Sequence, residues 1–284
     1  MQDLPPLVVL APRVTRDSVA VWQAAIGAGW SVERLSSWRV PQTLRSVIRK
    51  GRDVVVYAEP LFAEAVADQL GLTLMETPAD WLTTVPAKFL RREIGFTLLS
   101  QAQKLRGSFF VKPAEGKVFE PGIFVNGDRL PFIEKIGDIP VLTSTPVDWM
   151  LEVRCFVRDR RVMTMSPYCR DGALAQDKSG KWPFLKAGAE SDGEGEEDGA
   201  RAFMTAFLND AEVQLPPACV VDIGLIEGKG WAVIEANPCW GAGLYGCEVF
   251  AALQTIRRAV FRSRDNVALE DQPWMAVRNK QPVA

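Results

Sequence analysis

Residues 219–237 (CVVDIGLIEGKGWAVIEAN) hold two apolar runs separated by the tetrapeptide EGKG, Glu227–Gly230. Apolar runs on either side of a glycine-containing turn read as an antiparallel hairpin. Symmetric closure over a two- or four-residue loop makes Glu227 face Gly230, Ile226 face Trp231 and Asp222 face Glu235. Directly opposed side chains have Cβ atoms roughly 4.5–5.5 Å apart on one face, and strand alternation puts Asn237 on that same face. Two carboxylates opposed in an apolar hairpin repel, and a bound divalent cation removes the conflict. Asp, Glu and Asn oxygens are hard donors suited to Mg²⁺ or Mn²⁺, ions that keep waters and share phosphates. The competing reading is an edge hairpin whose acids face solvent and tolerate each other.

Composition narrows the chemistry further. The 284 residues contain no histidine, which removes Ser-His triads, Cys-His dyads, histidine-ligated zinc and imidazole acid–base catalysis. A formal charge of −2 excludes a nucleic-acid binder that works through bulk positive charge. With 48% hydrophobic and 24% charged residues the chain is globular, and its length corresponds to about two domains. Five cysteines form no CxxC pair, as expected for reduced, buried thiols. The opening MQDLPPLVVLAPR lacks the features of a signal peptide. No apolar run reaches the roughly 18 residues of a membrane span. These features predict a cytoplasmic protein; oligomeric state is not readable.

Along residues 1–85 the pattern alternates between strand and helix: strands at 7–11, 32–35 and 53–58, helices at 16–28 and 60–70, and a closing strand at 72–75. This predicts a small parallel βα domain. Residues 86–105 have helical spacing. Short strands follow at 108–112, 122–126, 132–135, 141–144, 150–158 and 161–168, separated by turn signals, which predicts antiparallel sheets. The acidic run Glu190–Asp198 (ESDGEGEED) reads as a solvated loop. A helix at 201–209, the hairpin and a helix at 248–263 complete the chain. Gly241, Gly243 and Gly246 spell GxGxxG, but a lone match is weak without a completed βαβ unit. The glycines read better as a tight turn whose N–H groups point at an anion.

Three segments share one order: FVKP (Phe110–Pro113) followed by the loop AEGKVFEPG, LEVRCFV (Leu151–Val157), and Asp222 with Glu235 and Asn237. This order resembles the ATP-grasp superfamily over about residues 86–255. FVKPAEGKVF, EVRCFV and IEANPCWGAGLYG are most similar to the clade named for two arginines and a lysine. EVRCFVRDRRV also resembles the cell-division-cycle translation-factor assembly proteins.

The resemblance implies an α/β fold: a preceding βα domain (1–85), a central subdomain with the lysine strand and a mobile loop (86–146), and a C-terminal subdomain with the metal-binding hairpin (147–284). It implies ATP and Mg²⁺ (or Mn²⁺). Lys112, and Lys117 from the loop, would contact phosphates, the backbone around Thr143–Val147, including Ser144 and Val147, would face adenine, and Glu152 would hold the ribose. Arg154 would reach the transferred phosphate or a carboxylate substrate, and Asp222, Glu235 and Asn237 would hold metal. Many such ligases carry a basic residue two before the first metal carboxylate, where this chain has Val220; Arg154, Arg170 and Arg92 are the candidates to replace it. The implied activity is an amide- or peptide-forming ligase, ADP-forming, acting on small-molecule or peptide carboxylates and amines. The alternative is an ATP-dependent assembly factor that binds a partner without ligase turnover.

Overall fold

The computed structural model describes residues 4–49, 52–185, 195–262 and 267–275. Strands β1 (Leu7–Leu10), β2 (Ser31–Arg34) and β3 (Val54–Tyr57) form a parallel sheet in the order β2-β1-β3. Helices α1 (Arg16–Gly27), α2 (Gln42–Arg49) and α3 (Pro60–Leu70) connect and follow them. Thr15 caps α1 with a reciprocal Thr15–Ser18 capping box, and Gly71 ends α3 in the left-handed conformation. The expected closing strand is shorter, β4 (Thr73–Leu74). It stays outside the parallel sheet and pairs antiparallel with a strand near the C-terminus.

The stretch from 86 to 105 corrects the single-helix expectation. One helical turn, α4 (Ala87–Leu90), stops at Arg91, whose φ of 51° is left-handed. Strand β5 (Ile94–Leu98) and a second turn, α5 (Leu99–Ala102), follow. The run IGFTL carries β-branched and aromatic residues that suit a pleated surface. A Cβ at Gly95 would stand 2.7 Å from the Thr143 hydroxyl on the neighbouring strand, so glycine spares that side chain a shift. Strands β6 (Phe109–Pro113) and β7 (Gly122–Phe124) come next, then a single turn, α6 (Ile133–Ile136), where the sequence predicts a strand. The four-stranded antiparallel sheet closes with β8 (Pro140–Ser144), in the order β5-β8-β6-β7.

The largest sheet comprises β9 (Trp149–Arg158), β10 (Arg161–Arg170), β11 (Ala173–Leu174), β12 (Ala218–Ile226) and β13 (Gly230–Asn237), ordered β11-β10-β9-β12-β13. Between β11 and β12 runs α7 (Glu196–Asn209). The acidic run is therefore no simple loop: Glu196–Asp198 form the first turn of α7, where carboxylates suit the helix dipole, while residues 190–194 lie outside the described residues. Helix α8 (Val249–Arg258) ends sooner than expected, and β14 (Val260–Phe261) returns to pair with β4. Among the described residues no parallel strand follows the glycine turn, so the dinucleotide-fold reading of GxGxxG fails.

Two large apolar cores result. One joins the parallel sheet to α8 and to Cys239, Trp240 and Leu244. The other lies between the five-stranded sheet and α7. Among the described residues no helix is long and apolar enough to cross a membrane.

Candidate active site

The middle of the five-stranded sheet carries a row of charge. Arg154 on β9 pairs with Asp222 on β12, and Asp222 pairs with Glu235 on β13. The hairpin reaches this pairing by a route the sequence did not suggest. Its loop has three residues, so Ile226 faces Gly230 and Leu225 faces Trp231; a one-residue bulge then shifts the register between Ile223 and Asp222. Odd loop and bulge cancel, leaving Asp222 opposite Glu235 as expected.

Asp222 is fully buried and accepts two hydrogen bonds from Arg154, Nε to Oδ1 at 2.9 Å and Nη2 to Oδ2 at 2.7 Å. Burial pushes the Asp222 carboxyl upward against the pull of this guanidinium. Arg154 also donates to the Gly243 carbonyl at 3.0 Å. Its guanidinium lies 4.8 Å from the Tyr245 ring centroid and 5.4 Å from that of Tyr168, a stacked arrangement open to Arg. Burial opposes its charge, yet Asp222 holds the guanidinium above its ordinary range.

Glu235 pairs with Lys112 of β6, reaching across from the other sheet. Asn237 donates to Glu235 Oε1 at 2.7 Å and to Asp222 Oδ2 at 3.4 Å. Burial would raise Glu235, but Lys112 and Asn237 hold it below its ordinary value. The repulsion expected between the carboxylates is thus relieved by Arg154, Lys112 and the Asn237 amide. Among the described residues no group of three or more His, Cys, Asp or Glu is arranged for a metal. The donors fit Mg²⁺ in kind: Glu235 and Asn237 carry hard oxygens, and Mg²⁺ needs few protein ligands beside a nucleotide.

Lys112 and Glu235 line a cavity of about 430 Å³ that also contains Ser144, Val147 and Glu152. Ile94, Phe110, Leu142 and Pro146 supply apolar walls. Glu152 accepts a hydrogen bond from Tyr168 at 2.5 Å. Burial, Asp222 and Glu152 push the Tyr168 phenol well above its usual range. Arg92 lines the same cavity; burial lowers it to about 10. A second cavity of about 940 Å³ shares Leu82, Lys112, Leu142 and Glu235 with the first and extends to α3 and the loop carrying Lys117. Lys117 is exposed there. Arg170 is not brought to the site: it is bound to Glu196 of α7. Val220 is buried in the first core.

Residues 89–255, more than half of the chain, match the ATP-grasp domain model for family 2 of the clade named for two arginines and a lysine. The chain belongs to the ATP-grasp family. Its fold is similar to that of D-cycloserine synthetase DcsG, with a TM-score of 0.54 and 14% identity, covering 89% of this chain and 98% of that one. It is also similar to N5-carboxyaminoimidazole synthase from Aspergillus clavatus, solved with ADP and 5-aminoimidazole ribonucleotide. There the TM-score is 0.52 at 12% identity, covering 96% of this chain and 80% of that one. No curated protein matches.

This ATP-grasp chain has site residues that motif reading passed over. It has three tyrosines in all, and all three converge here. Tyr168 and Tyr245 flank Arg154, while Tyr57 donates to the Ala242 carbonyl at 3.0 Å. Asp17 accepts from the Leu244 N–H at 3.0 Å, so an anion does meet the glycine turn, and it belongs to α1. The scarcity of tyrosine was the one available signal.

Proposed function

We propose that this ATP-grasp protein is an ATP- and Mg²⁺-dependent ligase that joins a carboxylate to an amine and releases ADP and phosphate. The observation that carries this reading is the pair of cavities meeting at Lys112 and Glu235, one apolar-walled and ending on Glu152, the other open toward the βα domain. A nucleotide in the first cavity would rest its base on Leu142, Pro146 and Val147, near the Thr143–Val147 backbone and Ser144. Its ribose hydroxyls would donate to Glu152, whose orientation Tyr168 fixes. Lys112, released from Glu235, would bind terminal phosphate oxygens as a point charge, with Lys117 joining from its loop. Mg²⁺, held by Glu235 and Asn237 beside Asp222, would neutralise the triphosphate.

The reaction then needs positioning more than proton chemistry, which suits a chain without histidine. A substrate carboxylate oxygen attacks the γ-phosphorus and ADP leaves. An amine nitrogen next attacks the acyl carbon, phosphate leaves with the bonding pair, and the surplus amine proton passes to phosphate or water. Arg154, fixed by Asp222 and two tyrosines, would supply fixed positive charge near the reacting groups. Small-molecule or peptide carboxylates and amines are the proposed substrates, in a cytoplasmic setting.

The test is a screen of amino acids and short peptides with ATP and Mg²⁺, reading ADP and pyrophosphate separately, with Lys112→Ala as the blank. ADP and phosphate that depend on both substrates and on Lys112 are expected. Lys112-dependent pyrophosphate would overturn the acyl-phosphate route. Nucleotide-dependent capture of a partner with no product under any pair would favour an assembly factor.

A further inference from the structure

We propose that Arg92 is a positioning residue whose guanidinium fork holds the bulge in β13 that turns Glu235 toward the nucleotide cavity and Asn237 toward the cavity that adjoins it. The functional consequence rests on the ligase reading above; the register itself does not.

The three-residue loop of the hairpin sets one register from Ile226↔Gly230 to Ile223↔Val233. Continued without interruption, it would pair Asp222 with Ile234 and Val221 with Glu235. Because side chains alternate, a slip of one residue sends each side chain to the opposite face. The Val221 face belongs to the apolar core against α7. Glu235 and Asn237 would then point into that core, away from Lys112, and Ile234 would stand beside Asp222 in the charged row. The bulge at Ile234 prevents this.

A bulge leaves one residue outside the ladder, and its backbone groups need other partners. Strand β13 is the last strand of its sheet among the described residues, so no further strand there donates to them. Arg92 fills the gap. Its Nη1 donates to the Val233 carbonyl at 2.7 Å and its Nη2 to the Ile234 carbonyl at 3.2 Å. These are consecutive carbonyls on one side of the strand, as a bulge produces and a regular strand does not. Nη1 also donates to the Leu90 carbonyl at 3.0 Å, closing the end of α4. The Trp149 ring supports the guanidinium, 5.0 Å from centroid to Cζ. Beside it, Arg91 Nε donates to the Trp231 carbonyl at 2.9 Å. A planar fork spans two adjacent acceptors, whereas a lysine ammonium is a single point donor. Arg92 therefore acts on the site through the backbone of β13.

The arrangement yields a reciprocal test in the full-length protein. Deleting Ile234 removes the extra residue and leaves the present Glu235 opposite Asp222 in an uninterrupted register, where the bulge carbonyl held by Arg92 Nη2 is gone and no bulge needs holding. Arg92→Ala and Arg92→Lys are expected to weaken Mg²⁺-dependent ATP binding at least tenfold with the natural hairpin, and less than twofold when Ile234 is deleted. Ethylguanidinium should restore binding in Arg92→Ala, which a general loss of stability would not allow. Crystal structures of the two Arg92 variants report the register directly. A shifted Glu235 supports the proposal, and Glu235 still opposite Asp222 in both overturns it. If Arg92→Ala does not fold, the Arg92→Lys structure decides. If the natural protein binds no nucleotide, the ligase reading falls and the register alone decides the role of Arg92.

Discussion

The two sheets that face each other across the cavity are built to different depths. In the five-stranded sheet, β12 is buried along nearly its whole length and β9 from Val153 to Val157, and even the charged Asp222 has no exposure. In the four-stranded sheet, β5 and β7 are largely half-exposed or open, with Phe96, Leu98 and Ile123 facing solvent. Arg154 and Asp222 thus sit in a medium where charge must be paired, while Lys112 enters from a shallow layer where charge can be hydrated. The difference teaches that the row Arg154–Asp222–Glu235–Lys112 has a fixed end and an adjustable end. The fixed end holds geometry; in the proposed ligase the adjustable end would trade a carboxylate for a phosphate.

The strongest attempt to break this contrast is Arg154→Met. It leaves Asp222 buried and ionisable without its bidentate partner, and stability should fall by about 3–5 kcal/mol in urea denaturation. Replacing Asp222 by Leu in the same chain should recover much of that loss, because an apolar pair removes the stranded charge. At the other end, Lys112→Ala removes a pair whose side chains are 23% and 29% exposed. Its stability cost should stay within about 1 kcal/mol, although nucleotide binding should be lost. Equal losses from the two substitutions would refute the distinction between fixed and adjustable ends.

An intermediate effect is expected at the start of α7. Glu196 accepts from Arg170 Nη2 at 2.8 Å and from the Leu185 N–H at 2.7 Å, tying the segment after β11 to the sheet. Glu196→Ala should cost about 1.5 kcal/mol, the usual scale for charged hydrogen bonds, read as a shift in the denaturation midpoint. No change would mean that Glu196 contributes to stability no more than a solvated acid.

What can be read from sequence follows the same division. Strand β12 is legible to the residue, because nine nearly continuous apolar positions admit few alternatives, and helix α3 is marked by Pro60 and Gly71. Around β5 and α6 the reading fails. Single helical turns, Ala87–Leu90 and Ile133–Ile136, are too short for periodicity to register. A one-sided, half-exposed strand such as IGFTL has few apolar positions to show alternation. In the candidate site, the convergence of Lys112, Glu152, Arg154, Asp222, Glu235 and Asn237 is legible because each sits on a strand with a recognisable motif; their roles remain part of the proposal. The bulge at Ile234 is not legible, since neither Val233 nor Ile234 differs chemically from ordinary strand residues. Its partner lies about 140 positions away in Arg92, which in sequence is as plausible on the surface as in the site.

The smallest effect expected is a change in thiol reactivity with almost none in stability, and it probes how far enclosure extends to the cavity rim. Cys169 on β10 pairs with Glu152 across the strands. Burial raises its thiol to about 11, with Glu152 adding to the effect through charge and a hydrogen bond. A raised thiol pKa means the fold favours the neutral form. That preference is full below the ordinary value of 9.0 and is lost as pH rises through about 11. Reaction of Cys169 with a disulfide reagent should therefore accelerate near pH 11 in the native protein, not near 9. The other four cysteines are buried and should react only on unfolding. Glu152→Gln keeps the shape and removes the negative charge, so the acceleration should move toward lower pH. If the profile does not move, burial alone governs Cys169. If the native thiol already titrates near 9, the rim is open to water, and the five-stranded sheet is less enclosed at Glu152 than at Asp222.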